Sequence, residues 1–122
     1  MKILSIRQPW AYLIVTGVKG IENRDWNTFY RGPLLIHASK TIDYAAFESI
    51  ARVHDLQIPA LLPTGGIVGR VELVDVMTKS DSPWFQGKYG FVLSHATLLP
   101  FVPARGQMGL FEWSEDVVGA RR

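Results

Sequence analysis

Hydrophobic and polar positions along the chain switch between two periods, and each switch marks an element. Ile3 to Ile6 is a short, alternating aliphatic run that reads as a first strand. Gln8-Pro9-Trp10 then opens a helix with proline in its first turn, and Trp10, Leu13, Ile14 and Gly17 recur at helical spacing until Gly17 ends it. Lys19 to Trp26 reads as extended. After an Arg31-Gly32-Pro33 turn, the run Leu34 to Ala38 predicts a second strand beside it, the two forming a hairpin-like unit with a loop at Asn27 to Arg31.

From Ile42 to Leu56 the period lengthens. Ala46, Phe47, Ile50, Val53 and His54 share one helical stripe, with Asp43 at the start favouring the helix dipole and Pro59 and Pro63 barring continuation. Gly65-Gly66 leads into a long strand, Ile67 to Met77, whose alternation sends Arg70 and Glu72 to the same side. A loop rich in chain breakers, residues 79–83, precedes a strand at Tyr89 to Leu93. Thr97 to Val102 is interrupted by Pro100 and can serve only as an edge strand, Leu110 to Trp113 is the last strand, and the charged tail Glu115 to Arg122 is expected to fray. Five or six short strands with two helices predict an α+β fold built as a small, partly closed barrel or a strongly curved sheet, because a doubly wound fold would need more helices.

A chain of 122 residues with 48% hydrophobic content is the size of one domain with a real core, so residues 1–122 are read as a single unit. Its longest apolar stretches fall far short of a bilayer span, and charge within the first residues argues against a signal peptide. With no cysteine, disulfides and thiolate chemistry are excluded, which suits a cytoplasmic location. The net charge of +2 is small but uneven: residues 1–40 carry six cations against two acids, while the remainder is net negative.

Leu4-Ser5-Ile6-Arg7-Gln8-Pro9-Trp10-Ala11, followed by Gly17-Val18-Lys19 and Glu22-Asn23-Arg24, resembles the signature of the ASCH domain in the PUA-like superfamily. The similarity continues through Tyr30-Arg31-Gly32, Ile36-His37-Ala38-Ser39, Gly66-Ile67-Val68-Gly69, Tyr89-Gly90-Phe91 and Gly106-Gln107-Met108-Gly109-Leu110-Phe111. The resemblance implies a PUA-like barrel with a cleft beside the first helix that takes RNA or a modified nucleoside. One branch of the wider group hydrolyses N4-acetylcytidine with a lysine, a threonine and a glutamate, and carries Gly-x-Lys-x-x-Thr-x-Arg. Here Gly17, Lys19 and Arg24 match that frame, Glu22 occupies the hydroxyl position, and the branch's glutamate falls on Glu72.

The residues themselves suggest matching chemistry. Glu22, Arg24 and Trp26 share a strand face, and Lys19 joins them if the strand begins after it, since Gly17 and Gly20 leave the backbone permissive. Lys19 beside Glu22 and Glu72 would form an ion-paired binder, or a base if burial lowers its pKa. Arg7 and Gln8 lie at a strand-to-helix junction suited to phosphate, Arg7 being readable also as a surface pair with Glu22 or Asp25. Trp26 and Tyr30 flank a loop as stacking candidates, while Trp10, on an apolar helical stripe, is read as core packing ahead of a stacking platform. His37, Ser39 and Lys40 end a strand where they could line the cleft mouth, with a satisfied structural role for the lone His37 weighed slightly ahead. No metal-ligand spacing or phosphate-cradling glycine motif occurs, so no cofactor is expected. The expected function is binding of RNA or a nucleobase in a charged cleft, with a hydrolase using Lys19, Glu22 and Glu72 as the alternative. A protein-interaction module is the third reading, and no particular protein partner is indicated.

Overall fold

The structure is a computed structural model, and it describes residues 1–113. Eight elements follow in order: β1 (Lys2–Gln8), α1 (Trp10–Val15), β2 (Ile21–Arg24), β3 (Gly32–Ile42), α2 (Tyr44–His54), β4 (Gly66–Met77), β5 (Tyr89–Pro103) and β6 (Leu110–Glu112). The tail from Glu115 onward lies outside the described residues. The strands make one six-stranded sheet in the order β2-β5-β4-β3-β1-β6. β1 and β3 are parallel and the other neighbours antiparallel. The edge strands β2 and β6 are not hydrogen-bonded to each other, so the α+β sheet is not a closed ring, which is compatible with the partly closed barrel expected from the sequence.

α1 is short because Gly17, at φ +82°, turns the chain out of the helix, with its N–H donating to the Ile14 carbonyl at 3.1 Å. Its buried residues Ala11, Ile14 and Val15 close over Leu4, Ile6, Leu34, Ile36, Val71, Leu73 and Phe91. The helix comes so near the sheet that a Cβ on Gly69 would fall against the Val15 side chain and 2.7 Å from the Thr97 carbonyl oxygen. Glycine is required there by the approach itself. On the opposite face Ile3, Ile67, Ala104 and Phe111 form a smaller cluster with Leu35 and Val102.

Three sequence expectations change. The β2–β3 hairpin does not form: β2 pairs with β5, Ile21 opposite Val92, whereas β3 lies between β1 and β4. Leu34, Ile36 and Ala38 are fully buried, which a central strand achieves and a two-stranded ribbon does not. The segments 89–93 and 97–102 belong to one strand, bent where His95 adopts φ +54°. Pro100 is tolerated because β2 pairs only with Tyr89 to Val92, so the far part of β5 has a single neighbour. Finally, the stripe on α2 is narrower than predicted. Ala46 and Ile50 pack with Leu13 of α1, while Val53 is exposed, because the helix sits beside α1 at the rim instead of over the sheet.

Candidate functional site

The open side of the sheet brings β2 toward β1, and the gap is spanned by a side chain. Pairing of β1 with β6 stops at Leu4, and the next carbonyl, of Ser5, accepts a hydrogen bond from Arg24 Nη2 at 2.8 Å. Arg24 is held in turn by Glu22, whose Oε2 accepts from Nε at 3.0 Å and lies 2.9 Å from Nη2. The other oxygen of Glu22 accepts from Lys19 Nζ at 3.3 Å, and the ammonium also donates to the Ile21 carbonyl. β2 begins at Ile21, so Lys19 precedes it and turns toward Glu22 as the flanking glycines suggested.

Lys19 is only 4% exposed, and its Nζ sits 5.4 Å from the centroid of the Trp10 ring. Burial pushes its pKa below the ordinary lysine range, Glu22 opposes that shift, and the Arg24 charge adds slightly to it. Trp10 donates its indole N–H to Asp43 Oδ2 at 3.0 Å, which ties α1 to the start of α2. Trp26 stands edge-on to Phe91, with ring centroids 5.2 Å apart at 83°.

These groups line a cleft of about 630 Å³ whose walls include Arg7, Trp10, Glu22, Arg24, Trp26 and Asp43. A second chamber of about 330 Å³ adjoins it through Trp10, Glu22, Asn23 and Asp43, and adds Lys19, His54 and Trp84. His54 and Trp84 stack at 3.8 Å, and Asn23 holds that wall by donating to the Trp84 carbonyl and accepting from the Gln86 N–H. A third chamber of about 480 Å³ shares Ser5, Ser39, Gln107 and Met108 with the first. Among the described residues its lining includes Lys40 and Arg105 and no acid. Arg7 is exposed and makes no hydrogen bond or ion pair with the described residues, so its guanidinium is available to a ligand.

The structure therefore brings Arg7, Trp10, Lys19, Glu22, Arg24, Trp26 and Ser39 together around the first two chambers, with Lys40 at the third. Four predicted residues fall elsewhere or are spent. Glu72 lies mid-sheet between Val71 and Leu73, which face the core, so its side chain leaves on the other face, where it meets Arg70 at 3.2 Å. It does not join Lys19 and Glu22.

Gln8 is 1% exposed. Its amide donates to the Pro63 carbonyl and accepts from the Tyr12 N–H, and its burial keeps it out of reach of a phosphate. His37 is equally enclosed, with Nε2 2.7 Å from the Ala104 carbonyl and Nδ1 2.9 Å from Ser5 Oγ. A carbonyl can only accept, so Nε2 carries the proton and Nδ1 receives the serine hydroxyl. Burial lowers the His37 pKa, the Ala104 bond partly offsetting it, and the neutral ring is a structural tie. Gly106 packs on this pair, where a Cβ would lie 2.8 Å from both Ser5 Oγ and the His37 ring. Tyr30 also turns away, donating its hydroxyl to the Pro33 carbonyl.

Asp43, Asn23 and Trp84 are the site residues that sequence reasoning did not place there. Asp43 and Trp10 are 33 positions apart, and no local pattern announces their contact.

Among the described residues, no helix is long and apolar enough to cross a membrane. The chain is 35% identical over 83 residues to activating signal cointegrator 1 of Homo sapiens and of Mus musculus, a match covering 62% of this chain and 14% of those proteins. The crystal structure of ASCH from Zymomonas mobilis aligns over 97% of this chain and 90% of its own, with a TM-score of 0.58 and 12% identity. A mutant form of that protein gives 0.60 at the same identity, covering 98% and 92%. At that identity the likeness is one of fold. The family model for the ASCH domain matches residues 4–119, and the chain belongs to that family.

Proposed function

We propose that the cleft beside α1 binds RNA, with a base against the indoles and a backbone phosphate at Arg7. One observation carries this reading: a guanidinium with no partner among the described residues and two tryptophans share the walls of a single cleft of about 630 Å³. The tryptophans offer π-faces to a base of any identity, and the guanidinium fork matches phosphate geometry. The adjoining chamber adds the ammonium of Lys40 beyond Ser39, so a strand longer than one nucleotide has a further cation to meet. Affinity for a fluorescent single-stranded RNA should fall steeply with salt. Arg7→Glu should weaken every sequence alike and flatten the log–log salt dependence by about 0.7 for each phosphate that is no longer neutralised. Undetectable binding at low salt, or an unchanged slope in the variant, would sink the proposal.

Lys19 favours a second reading, hydrolysis of an acylated nucleoside such as N4-acetylcytidine. Its ammonium has a lowered pKa and borders the second chamber beside Glu22. In this scheme Lys19, in its neutral amine form, takes a proton from water as the water oxygen bonds to the acetyl carbon, and Arg24 steadies the oxyanion. The C–N bond then breaks as Glu22 relays that proton to the leaving amine of cytidine, releasing acetate, with no part for Glu72. Release of acetate should then be abolished by Lys19→Ala, and turnover that survives the substitution removes this mechanism.

A further inference from the structure

Asp43 occupies the position preceding α2, where an aspartate ordinarily accepts a hydrogen bond from the backbone of its own helix. Here it makes no such bond. Its side chain turns instead into the cleft, where Oδ2 accepts from Trp10 Nε1 at 3.0 Å and the carboxylate lines both of the first two chambers. The backbone on either side is pinned as well: the Asp43 N–H donates to the Gln8 carbonyl at 2.9 Å, and the Asp43 carbonyl accepts from Ala46 at 3.1 Å. Oδ1 receives no hydrogen bond from any described residue. Lys19 is bound to Glu22, the Asn23 amide holds the 84–86 segment, and Arg24 gives its Nε and Nη2 protons to Glu22 and Ser5, while Asp25 adds a second carboxylate to the wall of the first chamber. At the edge of the indole ring the cleft thus presents a fixed, acceptor-only oxygen.

From this we infer that Asp43 is a specificity-determining residue, and that the cleft prefers a base carrying an exocyclic amine over uracil. The inference rests on the nucleic-acid reading above and deepens it. An ionised carboxylate can only accept, and the amino groups of cytosine, adenine and guanine are donors. Uracil places a carbonyl oxygen where cytosine has its amine, and its single ring N–H is flanked by two carbonyls that repel a carboxylate. The carboxylate stands at the rim of the indole, bonded to its N–H through Oδ2, which leaves Oδ1 as the oxygen that could meet the edge of a base stacked on Trp10.

Cytosine and uracil oligomers of equal length carry the same backbone charge, so their comparison isolates the base. The wild-type protein is expected to bind an oligocytidylate octamer about tenfold more tightly than oligouridylate at one salt concentration, the scale of one hydrogen bond to a charged group. Asp43→Asn keeps an acceptor for Trp10 and turns a donor toward the base, so the preference should reverse. Asp43→Ala should bring the two affinities together, with melting temperatures confirming that both variants fold. Equal affinity of the wild-type protein for the two octamers overturns the inference while leaving RNA binding intact, and this arm needs no variant. A loss of the same size for both octamers in Asp43→Asn, with the preference retained, also overturns it, by reducing Asp43 to a prop for Trp10. If neither octamer binds the wild-type protein at low salt, the RNA reading fails and takes this inference with it.

Discussion

Replacing Glu22 with alanine is expected to destabilise the fold by about 3–5 kcal/mol at neutral pH, the range found when one partner of a buried ion pair is removed. Glu22 is the only acid in contact with both Lys19 and Arg24 among the described residues, and Lys19 has almost no access to water. Without the carboxylate, the ammonium keeps the Ile21 carbonyl but loses its counter-charge, and Arg24 loses the group that aims it at Ser5.

The pH dependence gives the cause away. Burial already holds the folded-state pKa of Lys19 below its unfolded value, and Glu22 is the group that raises it. In the alanine variant the folded pKa therefore falls further. Between that value and about 10.5 the unfolded chain binds more protons than the folded one, so stability rises with pH across this window. Urea denaturation at pH 7 and pH 9.5 should show the variant recovering part of its deficit at the higher value. The pair Lys19→Met with Glu22→Leu should be far less damaging than Glu22→Ala, since it leaves no buried charge. A loss of under about 1 kcal/mol, constant with pH, would mean that the group behaves as a solvated surface pair.

Phe91→Ala is expected to cost a similar amount, about 3–5 kcal/mol, for a different reason. Phe91 is 0% exposed at the centre of the main core, where it lies opposite Glu22 on β2 and Val76 on β4. Truncation opens a void that the flanking strands cannot fill without breaking ladder bonds, and it removes the ring against which Trp26 stands. The near-ultraviolet circular dichroism of the tryptophans should change with the stability. Phe29→Ala is the matched control: that ring is 93% exposed, and its loss should shift stability by no more than about 0.5 kcal/mol. Equal effects at the two positions would contradict the core described here.

How much of this was readable in the chain depends on the range of the interactions involved. The first strand, the helix that follows it and the stop at Gly17 are local, governed by alternation, a proline and a glycine, and they stand where the spacing placed them. Lys19 before β2 was readable for the same reason. The partner of β2 was not, because Ile21 meets Val92 across 71 positions and nothing near Ile21 records that choice. His37 and Gln8 show a second limit. A polar residue in an apolar run has the same letter whether it faces a cleft or is sealed by carbonyls, and only the Ala104, Pro63 and Tyr12 contacts tell the cases apart. Glu72 shows a third: parity on β4 correctly paired it with Arg70, yet parity does not say which face of the sheet the cleft adjoins.

The reach of Arg24 from β2 to Ser5 means that two strand margins are fastened by one side chain and not by a ladder. A guanidinium has five N–H groups, and those already engaged serve Glu22 and Ser5. The two protons of Nη1 take part in neither contact, so an anion settling in the hollow can meet this guanidinium without undoing the clasp. One side chain can thus close the seam and face a guest at once, the first task fixing the plane in which the second is done.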